Sequence, residues 1–184
     1  MSETAFFSRL YSVGHSNVPM DKFISLLNQH SIQVVVDVRS YPFSKYATHF
    51  NYDAIQPALK DASIKYLYLG KELGGMPKNP DFFDRDGKLV YARVADSPAF
   101  KEAIARLVRG AKTHTIALMC GEENPAGCHR RHLLGPALRE QELELLHIRA
   151  GGQVQSESDL ETLENPAEDS QQLSLFDFSG DSGI

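Results

Sequence analysis

Short β-branched runs alternate along this chain with segments whose apolar residues recur at helical spacing. Tyr11 to His15 predicts a first strand that ends at Gly14-His15-Ser16. The segment after it carries Pro19 in its first turn and Phe23, Ile24, Leu26 and Leu27 on one side, the pattern of an amphipathic helix. Val34 to Val38 is a continuous apolar run of the kind a buried parallel strand shows, and it leads into Asp37-Val38-Arg39-Ser40. Asn51 to Ala62 predicts a helix weakened by Pro57, and Ile64 to Leu69 alternates like a strand. Residues 70–96 show no regular period and are too long for a simple connection, which makes them a candidate functional loop. Ser97 and Pro98 start a helix that buries Phe100, Ile104, Leu107 and Val108 and is expected to stop at Gly110. Thr115 to Met119 is a further strand. His129 to Glu140 is helical in period with a kink expected at Gly135-Pro136, and Leu143 to Ile148 is expected as the last strand. There is no internal repeat.

Strands separated by helices imply an α/β fold: a mainly parallel sheet with helices on both faces. In such sheets, ligand sites form at the carboxyl ends of the strands. The unusual polar residues fall there: His15 and Ser16 after one strand, Asp37 and Arg39 at another, Cys120 after a third. One pocket is therefore expected to gather them.

The chain's 184 residues are enough for one domain with its own core, and 42% hydrophobic and 23% charged residues are ordinary for a globular protein. Residues 153–184 hold eight acids and no Lys or Arg, whereas residues 1–152 hold sixteen acids against nineteen bases. This predicts a mildly cationic α/β domain over 1–152 and a disordered acidic tail over 153–184. Neither a secretory signal pattern nor an apolar run long enough for a membrane span is present, so a cytoplasmic location without a membrane partner is expected. Two cysteines in a reducing compartment are expected to be free thiols.

The sharpest chemistry lies between Cys120 and Arg131. A strand delivers Cys120, a loop turns, and Cys128-His129-Arg130-Arg131 opens a helix whose positive end, with the nearby bases, favours a thiolate. Cys128 and Cys120 are the candidate nucleophiles, and His15 and Asp37 the candidate proton-handling groups. Arg39, Ser16, Ser40, His129 and Arg130 are candidates for holding an anion, such as a phosphate-bearing ligand or nucleic acid. Alternatively, Cys128 simply packs the helix onto the sheet. Cys120, Cys128, His129 and His132 are zinc-type ligands, but the two thiols stand too far apart in sequence for a usual knuckle, so no metal is expected. No glycine-rich phosphate fingerprint occurs and no cofactor is expected. Tyr66, Tyr68 and Tyr91 are expected in the core and rim.

Gly14-His15-Ser16, Asp37-Val38-Arg39-Ser40 with Pro42, Phe50-Asn51, Leu73-Gly74-Gly75 with Pro77, and the block from Met119-Cys120 through Glu122 and Pro125 to Cys128-His129-Arg130 resemble, in that order, the family known as domain of unknown function 488. The resemblance runs from Tyr11 to Ile148. The chain departs from it at Lys45, where Arg is usual, and at Thr48, where Pro is common. It implies a compact α/β fold with the shared residues near one pocket, and it supplies no activity. In the tail, Gln172-Leu173-Ser174-Leu175-Phe176 resembles the docking pentapeptide for the bacterial DNA sliding clamp. That resemblance implies the clamp as partner, with Leu175 and Phe176 in an apolar groove, Leu173 beside them and Gln172 at its edge. Together these features predict a repair- or replication-associated protein whose body is a cysteine-dependent or anion-binding enzyme on nucleic acid or nucleotide. The alternative is a noncatalytic adaptor that binds a nucleotide or peptide.

Overall fold

The computed structural model describes residues 8–164. In chain order the elements are β1 (Ser8–Gly14), α1 (Met20–Gln29), β2 (Val34–Asp37), α2 (Tyr52–Asp61), β3 (Lys65–Tyr68), the single turn α3 (Gly70–Leu73), α4 (Tyr91–Ala95), α5 (Pro98–Ala111), β4 (Ile116–Cys120), α6 (Gly135–Arg139), β5 (Leu143–Ile148), β6 (Val154–Gln155) and α7 (Glu157–Glu164). The strands form one sheet in the order β3-β2-β4-β1-β5-β6. The first five run parallel, and β6 alone is antiparallel, pairing Ile148 with Val154.

Alternation along the strands divides the interior into two cores. Val36, Ile116, Leu118, Leu10 and Leu145 face Phe100, Ile104, Leu107 and Leu138 of α5 and α6. Val35, Ala117, Met119 and Val13 face Phe23, Leu27, Ile55 and Leu59 of α1 and α2. The expected α/β fold with helices on both faces is thus present. A side-chain period of two on the strands sends successive residues to opposite faces, and that parity later separates the two polar clusters of the site.

Several elements depart from the sequence expectation for local reasons. Pro57 lies inside α2 without breaking it, since Ile55 and Leu59 are fully buried and pin both halves to the sheet. Helix α5 passes through Gly110 and ends a residue later, capped at its start by the Ser97 hydroxyl, which accepts from the Phe100 amide. Residues 70–96 are more regular than expected: α3, a 3-10 turn at Pro80–Phe82 and α4 are strung along them. The kink at Gly135-Pro136 takes the form of a π-turn over Arg130–Leu134, in which the Gly135 amide bonds back to the Arg130 carbonyl. Pro136 has no amide to bond the His132 carbonyl, so the turn widens before α6 resumes.

The folded body extends to Glu164, past the boundary expected near Gly152, and Leu143–Ile148 is followed by one more strand. Leu160 of α7 is buried, and Arg131 is clasped by Glu157 at 2.6 Å and Glu164 at 2.5 Å. Two acids of the supposed tail, Glu157 and Glu164, therefore have a partner on the body, which composition alone did not show. The pentapeptide at 172–176 lies outside the described residues.

Leu118 is fully buried in the centre of the sheet, while Tyr46 is 89% exposed. Urea denaturation of Leu118→Ala is expected to show a loss of about 2–5 kcal/mol, and Tyr46→Ala a change within about 0.5 kcal/mol. Equal losses for the two variants would contradict this placement of the core.

Candidate functional site

The site lies where β1, β2 and β4 end together at the carboxyl edge of the sheet. Gly14 is paired with Cys120, and the ladder continues past both strands: the His15 amide bonds to the Cys120 carbonyl at 2.9 Å, and the Val38 amide to the Met119 carbonyl at 3.0 Å. The loop after Cys120 folds tightly back over β1. A Cβ placed on Gly14 would stand 1.7 Å from the Glu122 carbonyl oxygen, so only glycine admits this crossing. Gly75 plays the same part for the 70–96 segment: a Cβ there would lie 2.9 Å from the His129 ring.

On the α1/α2 face, Asp37 is fully buried and meets the Arg39 guanidinium side-on, with Nε at 2.9 Å and Nη2 at 2.6 Å. The Tyr66 hydroxyl donates to the same carboxylate at 2.7 Å, and burial, followed by the Asp37 charge, pushes that phenol well above its usual range. Arg39 also donates to the Phe50 carbonyl at 2.8 Å and to His15 Nε2 at 2.9 Å. His15 Nδ1 lies 2.7 Å from the Ser16 carbonyl, which only accepts, so that nitrogen carries the hydrogen and Nε2 takes the Arg39 bond. The ring stacks on Phe50 at 4.2 Å. Burial and the adjacent Arg39 lower the His15 pKa to about 4, which keeps it neutral near pH 7. Both of its nitrogens are engaged within the protein, so it holds Arg39 in place.

On the α5/α6 face, Cys120 and Cys128 come together with His129. Cys128 opens the first turn before the π-turn, its carbonyl accepting from the amides of Arg131 and His132. Arg130 is fully buried, and its Nε donates to Cys128 Sγ at 3.2 Å. Its remaining bonds go to the Ser12 hydroxyl at 3.3 Å and to the carbonyls of Glu122 at 2.5 Å and Glu123 at 3.5 Å. Ser12 passes its own hydrogen to His147 Nδ1 at 2.7 Å. No carboxylate lies within ion-pair distance of Arg130 among the described residues. A guanidinium sealed from water requires an anionic partner, and the Cys128 sulfur is the group placed to supply it. The hydrogen bond from the Cys120 thiol, then those from His129 and Arg130, outweigh burial and lower the Cys128 pKa to about 3. Cys120 is pushed up, because the same hydrogen bond and burial hold its proton.

The two clusters meet across a cavity of about 340 Å3 lined by Arg39, Ser40, Tyr41, Gly75, Met76, Tyr91, Cys120, Gly121, Glu122, Gly127 and His129. Of the residues expected from sequence, Arg39, Ser40, Cys120 and His129 form its wall. His15, Asp37, Cys128 and Arg130 lie behind them as a buried supporting layer, and Ser16 sits outside the wall with its backbone at φ 47°. Ser40 is occupied, its hydroxyl accepting from the Met76 amide at 2.8 Å. Tyr68 bonds the Ser40 carbonyl at 3.1 Å, and Lys78 stands 5.8 Å over the ring of Tyr41. The sequence reading missed Tyr41, Met76, Ser12 and His147, which stand in no motif of known chemistry and acquire a role only through position. A larger cleft of about 680 Å3 between α4, α5 and α6 contains neither thiol.

His147 shares the depressed pKa of His15, at about 4, because it is buried and faces Arg130 and Arg131. As pH falls from about 6.5, the unfolded chain takes up protons at these rings before the folded chain does. Stability is therefore expected to fall between about pH 6.5 and 4, with a shallower slope in His147→Gln when urea midpoints are followed against pH. Identical slopes for variant and wild type would contradict the burial of a neutral His147.

No curated protein and no solved structure matches the chain. A family model described as Domain of unknown function DUF488 matches residues 19–135, a span running from the start of α1 to the beginning of α6 and enclosing β2, β4, both cysteines and His129. The chain belongs to the DUF488 family.

Proposed function

We propose that the domain is a cysteine-dependent enzyme acting in the Cys120 pocket on a nucleotide or nucleic-acid group, and that residues 172–176 recruit the chain to the bacterial sliding clamp. The observation that carries the enzymatic reading is the buried Arg130 guanidinium, whose available anionic partner is the Cys128 sulfur. A fold keeps an ionised sulfur behind a ligand-sized cavity at a cost in desolvation, and that cost is understandable where the sulfur takes part in chemistry. Cys120 faces the cavity and is the sulfur that meets a ligand, while Cys128 holds negative charge behind it. The exposed ring of Tyr41 at the rim, with Lys78 above it, suits a base and its phosphate. An anion-binding enzyme and a noncatalytic adaptor that binds a nucleotide have less support, because the charges of Arg39 and Arg130 are both engaged inside the protein.

Thiolate absorbance in the ultraviolet tests the first half of this reading. In chelator-treated protein, absorbance equivalent to one sulfur is expected to persist as the pH is lowered from 7 towards about 3, and to vanish in Cys128→Ser. Absorbance that develops only above pH 8 would remove the thiolate. Recruitment is tested by pull-down with purified clamp: Leu175→Ala combined with Phe176→Ala is expected to abolish capture, and undiminished capture would end that part of the proposal.

A further inference from the structure

Three groups able to ligate a metal converge at the floor of the pocket. Cys120 Sγ, Cys128 Sγ and His129 Nδ1 all lie within 4.8 Å of each other. Nδ1 is 4.0 Å from Cys120 Sγ and 3.7 Å from Cys128 Sγ. His129 Nε2 stands 3.2 Å from the Val38 carbonyl, which only accepts, so Nε2 carries a hydrogen and Nδ1 is the ring nitrogen that faces the two sulfurs. The Cys128 sulfur lies 3.2 Å from Arg130 Nε, which donates to it. A carbonyl behind a ring whose other nitrogen faces sulfur is the outer support that metal-ligating histidines have.

The geometry points to a metal site: Cys120, Cys128 and His129 bind a borderline-soft divalent ion of the zinc class through two thiolates and one imidazole, with a fourth position open to the pocket. Tetrahedral bonds of about 2.3 Å to sulfur and about 2.0 Å to nitrogen set sulfur–nitrogen separations near 3.5 Å. The observed 3.7 and 4.0 Å reach that arrangement by shifts of a few tenths of an ångström. Charge also favours it. A dipositive ion is matched by two thiolates, and the Arg130 hydrogen bond to Cys128 remains as a support for the bound sulfur. Three protein ligands and a free position distinguish this set from a closed structural site. Cys120 and His129 line the cavity and Cys128 does not, so an ion held among them borders the cavity on the side where a ligand enters. Sequence spacing argued against this set because the thiols are not a knuckle pair. The β4 end and the first turn before the π-turn bring them together regardless, while His132 turns away to the Ala126 carbonyl.

The inference rests on reading the pocket as the seat of a reaction and names the cofactor of that reaction; with the ion bound, the sulfurs act as its ligands. Tag-free, full-length chain is stripped with chelator and titrated with Co2+ and then Zn2+. The expected result is one ion per chain, with a sulfur-to-cobalt charge-transfer band that Zn2+ displaces. Cys120→Ser and His129→Gln are each expected to weaken binding by about a hundredfold or more, by comparison with the 10–100-fold effects of outer-shell changes, and His132→Gln to leave it unchanged. Cys120 is only partly buried, so its variant carries the test even if Cys128→Ser does not fold; melting curves in chelator verify that each variant is folded. Absence of a charge-transfer band in the native chain overturns the proposal, as does binding that survives in Cys120→Ser. The thiolate titration separates the two readings: a thiolate without ion binding refutes the metal site alone, whereas a chain with neither refutes both.

Discussion

A guanidinium buried with no carboxylate in ion-pair reach among the described residues is the constraint around which this domain is arranged. Arg130 is fully enclosed, and its hydrogens go to one sulfur, one hydroxyl and backbone carbonyls. Each partner comes from a different stretch of chain: Ser12 from β1, Glu122 from the loop after β4, Cys128 from the turn that precedes Arg130 itself. The sheet must place the ends of β1 and β4 side by side for this set to exist, and the tight crossing at Gly14 allows the loop to come close enough. The Cys120 thiol, then His129 and Arg130, hold the Cys128 sulfur below its ordinary pKa, whereas burial alone would drive it towards the neutral thiol.

The sheet keeps two arginines in two different electrostatic settings a short distance apart. On one face Arg39 is neutralised by the Asp37 carboxylate, supported by Tyr66 and His15. On the other, Arg130 is balanced by sulfur. Strand parity separates them, since Asp37 and Cys120 point to opposite sides of neighbouring strands. They communicate at the cavity, where Arg39 and Cys120 share a wall and His129 reaches across to the Val38 carbonyl. The result is a wall rigid in its polar parts: the buried side-chain nitrogens and oxygens of the described residues are all hydrogen-bonded. Such a shell holds the partly buried Cys120 sulfur in one position, which is what either thiol chemistry or metal ligation needs.

Much of this was legible in the sequence because it depended on local pattern. The apolar run at Val34–Val38, the capped start of α5 and the helical period after Arg130 each state their own element, and polar residues at strand ends marked the carboxyl edge. What was hidden depended on tertiary proximity. Arg130 and His15 read as free groups for a ligand, yet the fold uses both internally, a distinction set by burial that no motif encodes. The acids at Glu157 and Glu164 read as tail because composition cannot know that Arg131 waits for them. Cys120 and Cys128 read as too distant for shared ligation because spacing rules assume a continuous knuckle, whereas a strand end and a helix start supplied the contact. Tyr41 and Met76 acquire meaning only as the rim of a cavity.

The protonation of the two sulfurs is the measurement closest to the centre of this account, and the sulfur–hydrogen stretch in the infrared reads it directly. In chelator-treated protein near pH 6, the account predicts a stretch from a single thiol, unchanged in number by Cys128→Ser apart from a shift as its hydrogen-bond partner changes, and lost in Cys120→Ser. Two such stretches in the wild-type chain, with one removed by Cys128→Ser, would contradict it, because Arg130 would then be buried without an anion.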